Sequence, residues 1–360
     1  MDAQLLEREP IAAEQPDPRR YFERIGEERT PIAKDDPVCL YLETTNRCNL
    51  LCTTCPRTFE ELEPPSDMSW ELFTSIADQF PKIERAVLHG VGEPMMVAEL
   101  PAMVKYLKDR GVYVLFNTNG TLMREKKSRE LIEAGLDEMR ISLDAAERKA
   151  FESVRGRDLF ERILRNVKNF VALKKAMGAQ KPRLSLWLTG LRETLEQLPA
   201  FIRLAHEIGV REVHLQRLVY FESSPSGLAR PESSLFENRD AAEGKYLLEA
   251  EKIAASLGVL FDASGAAEPE ASLRRLEGRT PWSLCRRPWS LMYFTAHGRA
   301  LPCCIAPFSM HGYDNFTLGN AKTTPLRDIW NGPQYQSFRE ALLSESPPQA
   351  CAGCGLRWSL

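Results

Sequence analysis

The sequence has no run of about 18 consecutive apolar residues, so a membrane-spanning helix of ordinary length is excluded. The N-terminus, Met-Asp-Ala-Gln-Leu-Leu-Glu-Arg-Glu-Pro, lacks the basic stretch and apolar run of a secretory signal, and export is not expected. An excess of charge of one sign is also missing. Lys+Arg 47 against Asp+Glu 50 leaves a formal net charge of -3, without the basic surplus that binds nucleic acid or acidic membranes. The expectation is a cytoplasmic protein whose substrate is a small molecule or a peptide, with neither nucleic acid nor membrane as partner. Core material is ordinary: 43% of the 360 residues are hydrophobic, enough for one large domain and a smaller appendage.

Cysteine is what the sequence does have. Nine would read as a disulfide framework in an exported chain; without a signal they fit metal binding or redox chemistry better. Three lie in Cys48-Asn-Leu-Leu-Cys52-Thr-Thr-Cys55, directly after an apolar run. Thiolates select zinc, copper(I) or iron-sulfur clusters, and three protein ligands leave one coordination position open, as catalytic metal sites do. The competing readings are three unrelated cysteines, or a structural zinc with a remote fourth ligand.

Residues 1–36 are rich in Glu, Pro and Arg and read as an arm or short helix around Tyr21-Phe22 and Ile25. From Val38 short apolar runs alternate with longer amphipathic segments, which predicts strand-helix units and a parallel sheet. Six strands are expected: Cys39–Glu43, Arg85–His89, Val112–Asn117, Glu138–Leu143, Arg183–Leu188 and Glu212–Leu218. Helices are expected near Ser69–Gln79, Glu99–Arg110, Met123–Ala134, Leu159–Met177 and Thr194–Ile208, with Ser69 as an N-cap and Gly111, Gly135 and Gly209 as stops. Runs such as Arg124-Glu-Lys-Lys127 read as solvated helix faces.

In parallel α/β architectures functional residues gather where strands end. Four consecutive strand ends carry the cysteine loop, Gly90-Val91-Gly92-Glu93-Pro94, Asn117-Thr118-Asn119-Gly120 and Ser142-Leu143-Asp144. Each turn alone is weak, and their common location makes one site. Together they resemble a radical S-adenosylmethionine (radical SAM) enzyme in kind and order, over about residues 37–220. The resemblance implies a partial (β/α)6 TIM-like barrel in which Cys48, Cys52 and Cys55 hold three irons of a 4Fe-4S cluster. The fourth iron would be chelated by S-adenosylmethionine, whose reductive cleavage gives a 5'-deoxyadenosyl radical. Gly92 would permit close backbone approach and Glu93 would accept from the methionine ammonium. Asn119, Ser142 and Asp144 join them as cofactor contacts, and Arg155 is suited to the carboxylate. The chain departs from the usual Gly-Gly-Glu at Val91, and carries Thr54 before the third cysteine where the family often has an aromatic.

After Leu218 the composition changes; residues 221–258 read as a linker followed by a helix around Ala242–Ser256, and residues 259–360 as a cysteine-bearing domain. Cys285-x12-Gly298-x4-Cys303, with Cys351-Ala-Gly-Cys354, resembles the auxiliary-cluster extension (SPASM/Twitch-type) found on many radical SAM enzymes. The chain stops at Leu360, so the expectation is one auxiliary 4Fe-4S cluster on Cys285, Cys303, Cys351 and Cys354; a zinc on the same four stays open from spacing alone. Cys39 is expected in the core and Cys304 as a neighbour turned away. His89, Gln216 and Arg217 end strands near the cofactor, His89 more as a packing residue, and Trp282, Trp289 and Trp330 are expected in the small domain's core. The leading functional expectation is an oxidoreductase that dehydrogenates an alcohol of a sugar or aminocyclitol, with the auxiliary cluster as electron acceptor and a flavodoxin or ferredoxin as donor. The alternative is a peptide-modifying maturase forming a thioether, crosslink or epimer. Many maturases carry a leader-binding module that the N-terminal arm is too short to form, which lowers the alternative's rank.

Overall fold

A computed structural model of the protein describes residues 29–60, 62–221, 227–235, 241–264, 282, 285–308, 316–352 and 354. The expected N-terminal helix around Tyr21, Phe22 and Ile25, and residues 222–226 and 236–240 of the expected linker, lie outside the described residues.

The strand-helix alternation is realised. Strands β1 (Cys39–Leu42), β2 (Arg85–Val87), β3 (Tyr113–Thr118), β4 (Glu138–Ser142), β5 (Arg183–Gly190) and β6 (Glu212–Arg217) lie side by side, every neighbouring pair parallel. All their C-terminal ends therefore share one rim. The sheet also runs on past these six: β7 (Leu260–Ala263) pairs parallel with β6, and β8 (Leu291–Phe294) pairs parallel with β1. Two antiparallel strands, β9 (Arg299–Leu301) and β10 (Gly319–Asn320), complete the order β10-β9-β8-β1-β2-β3-β4-β5-β6-β7.

The connecting helices are α1 (Trp70–Ala77), α2 (Leu100–Lys108), α3 (Glu125–Glu133), α4 (Arg148–Arg155), α5 (Phe160–Ala176), α6 (Leu198–Glu207) and α7 (Ala241–Leu257). Ser69 caps α1 as expected, its hydroxyl accepting from Leu72 N–H at 3.2 Å. Gly111, Gly135 and Gly209 all take positive φ where a helix gives way to the next strand. Helix α4 was not anticipated; Arg148–Arg155 makes only about two turns, too short for a helical period to stand out between Asp144 and Gly156. In the C-terminal part, α8 (Arg287–Ser290), α9 (Leu326–Trp330), α10 (Pro333–Leu343) and α11 (Gln349–Ala352) surround β8–β10. Trp289 and Trp330 are buried there and Trp282 is only half-buried.

Alternation along the strands separates two faces. Met139 and Ile141, Leu186 and Leu188, Val213 and Leu215 are buried under the helices. Between them Arg140, Trp187 and His214 stand half-exposed on the inner face, where they touch one another. A parallel strand packed on both sides would show no such alternation, so the inner face borders an open cavity.

Candidate active site

The cysteine loop leaves the rim after β1 and is tied down by backbone bonds. Thr53 N–H donates to Val154 O at 2.8 Å and Leu51 N–H to Arg155 O at 3.3 Å, so the end of α4 holds the loop. Gly156, at φ +70°, follows directly; a Cβ there would stand 2.2 Å from Leu51 O, so the contact demands glycine. All three thiols are free and half-buried. Burial, with Cys52 and Cys48 adding to it, pushes the Cys55 thiol up to about 12. Such a thiol ionises readily only when a cation replaces its proton. Two donors already serve these sulfurs: Asn119 Nδ2 lies 3.8 Å from Cys48 Sγ, and Arg155 Nη1 lies 3.7 Å from Cys52 Sγ.

The turn after β2 packs directly on the cysteine loop. A Cβ on Gly92 would meet Thr45 O at 2.1 Å and Arg47 O at 2.8 Å, so its close approach is to the base of that loop. Glu93 is buried and binds three donors of the chain: Met95 N–H at 2.9 Å, Thr118 Oγ1 at 2.7 Å and Asn119 N–H at 2.7 Å. Burial raises its pKa and these bonds oppose the rise. Glu93 thereby locks the ends of β2 and β3 together. Lys127, expected on a solvated helix face, is instead turned inward: its ammonium donates to Met95 O and Val97 O beside this turn. A long lysine can reach a loop that sequence periodicity does not reveal.

Asp144 and Arg155 meet as an ion pair at 2.6 Å, with side chains 2% and 11% exposed. Asp144 stands at φ +61°, and its other oxygen accepts from Thr189 N–H at 2.7 Å. Burial opposes the Arg155 charge, but Asp144 and the thiols of Cys52 and Cys48 together raise its pKa above the ordinary value. Ser142 faces the cavity half-exposed, in register with Trp187. The structure thus gathers Gly92, Glu93, Asn119, Asp144 and Arg155 around the three cysteines, largely by bonds among themselves.

The C-terminal cysteines converge separately. Burial raises Cys351 well above the usual thiol range, with Cys303, Cys285 and Cys354 contributing in that order. Cys354 bridges to Phe221, just past β6, which ties this group to the barrel's edge. Cys304 lies within electrostatic reach of Tyr41 on the inner face. Cys39 is fully buried. Among the described residues no three His, Cys, Asp or Glu side chains close around a single point as ligands of one ion do. Thiolates on separate irons of a cluster stand further apart than the ligands of one ion.

Sequence reasoning missed Glu43, a buried carboxylate at the end of β1. It accepts from Val91 N–H at 3.0 Å, Tyr293 O–H at 2.7 Å and Ala296 N–H at 3.2 Å, and so joins the turn before Gly92 to the C-terminal strands. Burial raises its pKa to about 7. It also missed Arg140, Trp187 and His214; charged and aromatic residues at alternate strand positions were the available signal.

Family models match both regions: the radical SAM superfamily over residues 42–205 and the SPASM iron-sulfur cluster-binding domain over residues 285–355. A tungsten-containing aldehyde ferredoxin oxidoreductase cofactor-modifying protein of Pyrococcus furiosus is 31% identical over 50% of this chain, and the match spans only 51% of that protein. PqqA peptide cyclase of Gluconobacter oxydans is 24% identical over 88% of this chain and 82% of its own. The crystal structure of Streptococcus suis SuiB bound to precursor peptide SuiA superposes with a TM-score of 0.63 at 16% identity, covering 90% of this chain and 70% of that one, and so shares the fold. These domains imply 4Fe-4S clusters and S-adenosylmethionine, and the cysteine groups with their N–H donors fit them. The chain thus carries a radical SAM domain followed by a SPASM iron-sulfur cluster-binding domain.

Proposed function

We propose that the protein is a radical SAM enzyme that modifies a peptide. The observation carrying this reading is the relation to a peptide cyclase over 88% of the chain, beyond the barrel alone. It moves peptide modification ahead of alcohol oxidation, which the sequence alone had placed first. In this reading Cys48, Cys52 and Cys55 hold the first cluster, and Cys285, Cys303, Cys351 and Cys354 an auxiliary one. When bound, the first cluster and S-adenosylmethionine supply the means to take a hydrogen atom from an unactivated C–H bond.

The chain's own groups prepare that site. Arg155 and Asn119 donate to cysteine sulfurs and so favour the thiolates, while Asp144 fixes the guanidinium. Glu93 and Gly92 set the cofactor-facing turn against the cysteine loop, and Ser142 offers a hydroxyl toward the ribose or methionine end. Thiols that must stay reduced for metal binding fit a cytoplasmic protein supplied with electrons by a flavodoxin or ferredoxin. Anaerobically reconstituted protein, reduced with dithionite, is expected to cleave S-adenosylmethionine to 5'-deoxyadenosine, and Cys52→Ala to abolish this. With a short peptide encoded beside the gene, a thioether or crosslink is expected to show as a loss of two hydrogens by mass spectrometry. One is carried off in 5'-deoxyadenosine and the other leaves as a proton, with its electron passed to the auxiliary cluster. An epimer is expected to show as inverted stereochemistry at unchanged mass. An unchanged peptide together with oxidation of a polyol or amino-sugar panel would reverse the assignment.

A further inference from the structure

Two groups on the inner face have donors to spare. Arg140, on β4, spends only its Nε, donating to Glu138 Oε1 at 2.7 Å; among the described residues Nη1 and Nη2 have no hydrogen-bond or ion-pair partner. The side chain is 14% exposed, so this free fork borders the cavity. His89, at the end of β2, accepts from Asn117 N–H through Nδ1 at 3.2 Å, which leaves its hydrogen on Nε2. Burial, and after it the nearby Arg140, disfavours a charge on the ring.

The surroundings hold the fork in place. The guanidinium lies 4.4 Å from the centroid of the Trp187 ring. Trp187 stacks in turn on His214 at 4.0 Å and 28°, and its indole N–H is tied to Ser185 Oγ at 2.9 Å. Beneath, Glu138 takes both Arg140 and Arg183, and Glu212 takes Arg183. Glu138 is thus already shared between two cations. A planar, rigidly stacked guanidinium with two free parallel N–H groups matches one kind of ligand, a carboxylate held through both oxygens.

We propose that Arg140, with the Trp187 shelf and the His89 Nε2–H, binds the carboxylate of an acidic residue of the substrate. This rests on the peptide-modifying reading for the identity of the substrate and deepens it. Arg140 lies two residues before Ser142 on β4, one inner-face step of about 7 Å below the rim. A hydrogen bond of about 2.9 Å together with a glutamyl side chain of about 5 Å spans that step, and an aspartyl side chain falls short of it. A carboxylate seated on Arg140 therefore sets the carbons that bear it at the level of Ser142, where the cofactor is expected.

Isothermal titration of the anaerobically reconstituted full chain, with S-adenosylmethionine present, tests this without turnover. The probes are N-acetyl-glutamate α-amide, its glutamine counterpart, and N-acetyl-alanine, which carries only an α-carboxylate. The glutamate probe is expected to bind at least about tenfold tighter than the glutamine probe, a charge-assisted pair being worth that much. Tighter binding of N-acetyl-alanine than of the glutamate probe would assign the subsite to a chain terminus and overturn the side-chain proposal. Arg140→Gln is expected to erase the preference, and Arg140→Lys, which keeps the charge next to Glu138, to retain part of it. Equal or undetectable binding of the glutamate and glutamine probes to the unmodified protein overturns the proposal, whatever the variants do. Protein that prefers the carboxylate yet never cleaves S-adenosylmethionine would support the subsite and refute the radical reading alone.

Discussion

Single residues carry the link between the cysteine loop and the rest of the rim. Arg155 touches Cys52 and neutralises Asp144, which is 2% exposed. Removing it by Arg155→Ala strands a buried carboxylate, and the expected cost is about 3–5 kcal/mol, read as a lowered thermal midpoint. Arg155→Lys is expected to recover only part, since one ammonium cannot serve Asp144 and Cys52 in the fork's geometry. Glu43 gives a prediction in pH. Its folded pKa of about 7 lies above the reference 4.5, so its protonated form is the one the fold favours. Its contribution to stability is complete below pH 4.5 and is lost as pH rises to 7. The span amounts to roughly 3 kcal/mol at 1.36 kcal/mol per pH unit. Glu43→Gln cannot ionise, so its thermal midpoint is expected to stay flat where the wild type falls between pH 5 and 7.5. Parallel profiles for the two proteins would show that Val91, Tyr293 and Ala296 hold Glu43 charged throughout.

At the scale of elements, the junction between α4 and the cysteine loop decides whether the loop keeps its shape. Gly156 and Gly111 form a matched pair: φ is +70° and +76°, but a Cβ meets Leu51 O at 2.2 Å in the first and nothing within 4 Å in the second. Both alanine variants bear the left-handed strain of about 1–2 kcal/mol. Only Gly156→Ala must also displace Leu51, the residue before Cys52, and it alone is expected to lower iron incorporation after reconstitution. Equal iron in the two variants would show that the loop yields without harm. The strand ends that define this rim were legible in the sequence because each combines a hydrophobic run with an abrupt polar turn. Helix α4 was not, since Arg148–Arg155 is only eight residues long and its apolar face rests on Phe151 and Val154 alone. The pairing of Asp144 with Arg155 was also hidden: each was read as reaching for the cofactor, and mutual neutralisation depends on a fold that brings β4 and the end of α4 together. Spacing reveals ligands on one loop, whereas partners from separate elements need the coordinates.

For the whole molecule, the two cysteine regions share one sheet. β8 pairs with β1 from Cys39↔Leu291 to Leu42↔Phe294, and Leu291–Phe294 are at most 1% exposed. The segment before β1 is bound to the same C-terminal part: Trp289 N–H donates to Thr30 O at 2.7 Å, Trp330 N–H to Asp35 O at 2.9 Å, and Arg339 to Pro31 O at 3.2 Å. This architecture separates what the C-terminal cysteines do from what the strands around them do. Burying each of the four β8 side chains is worth about 1.5–3 kcal/mol, none of it from a cluster. Replacing Cys285, Cys303, Cys351 and Cys354 together by serine is therefore expected to leave the fold intact by circular dichroism, while iron falls from about eight to about four per chain. Ending the chain before Cys285 removes β8 as well, uncovers the edge of β1, and strips Glu43 of Tyr293 and Ala296. That truncated protein is expected to aggregate on size-exclusion chromatography, because an open apolar strand edge pairs with any other. A soluble, monomeric truncation that still loads the first cluster would show instead that the barrel closes on itself and that β8 only lies against it.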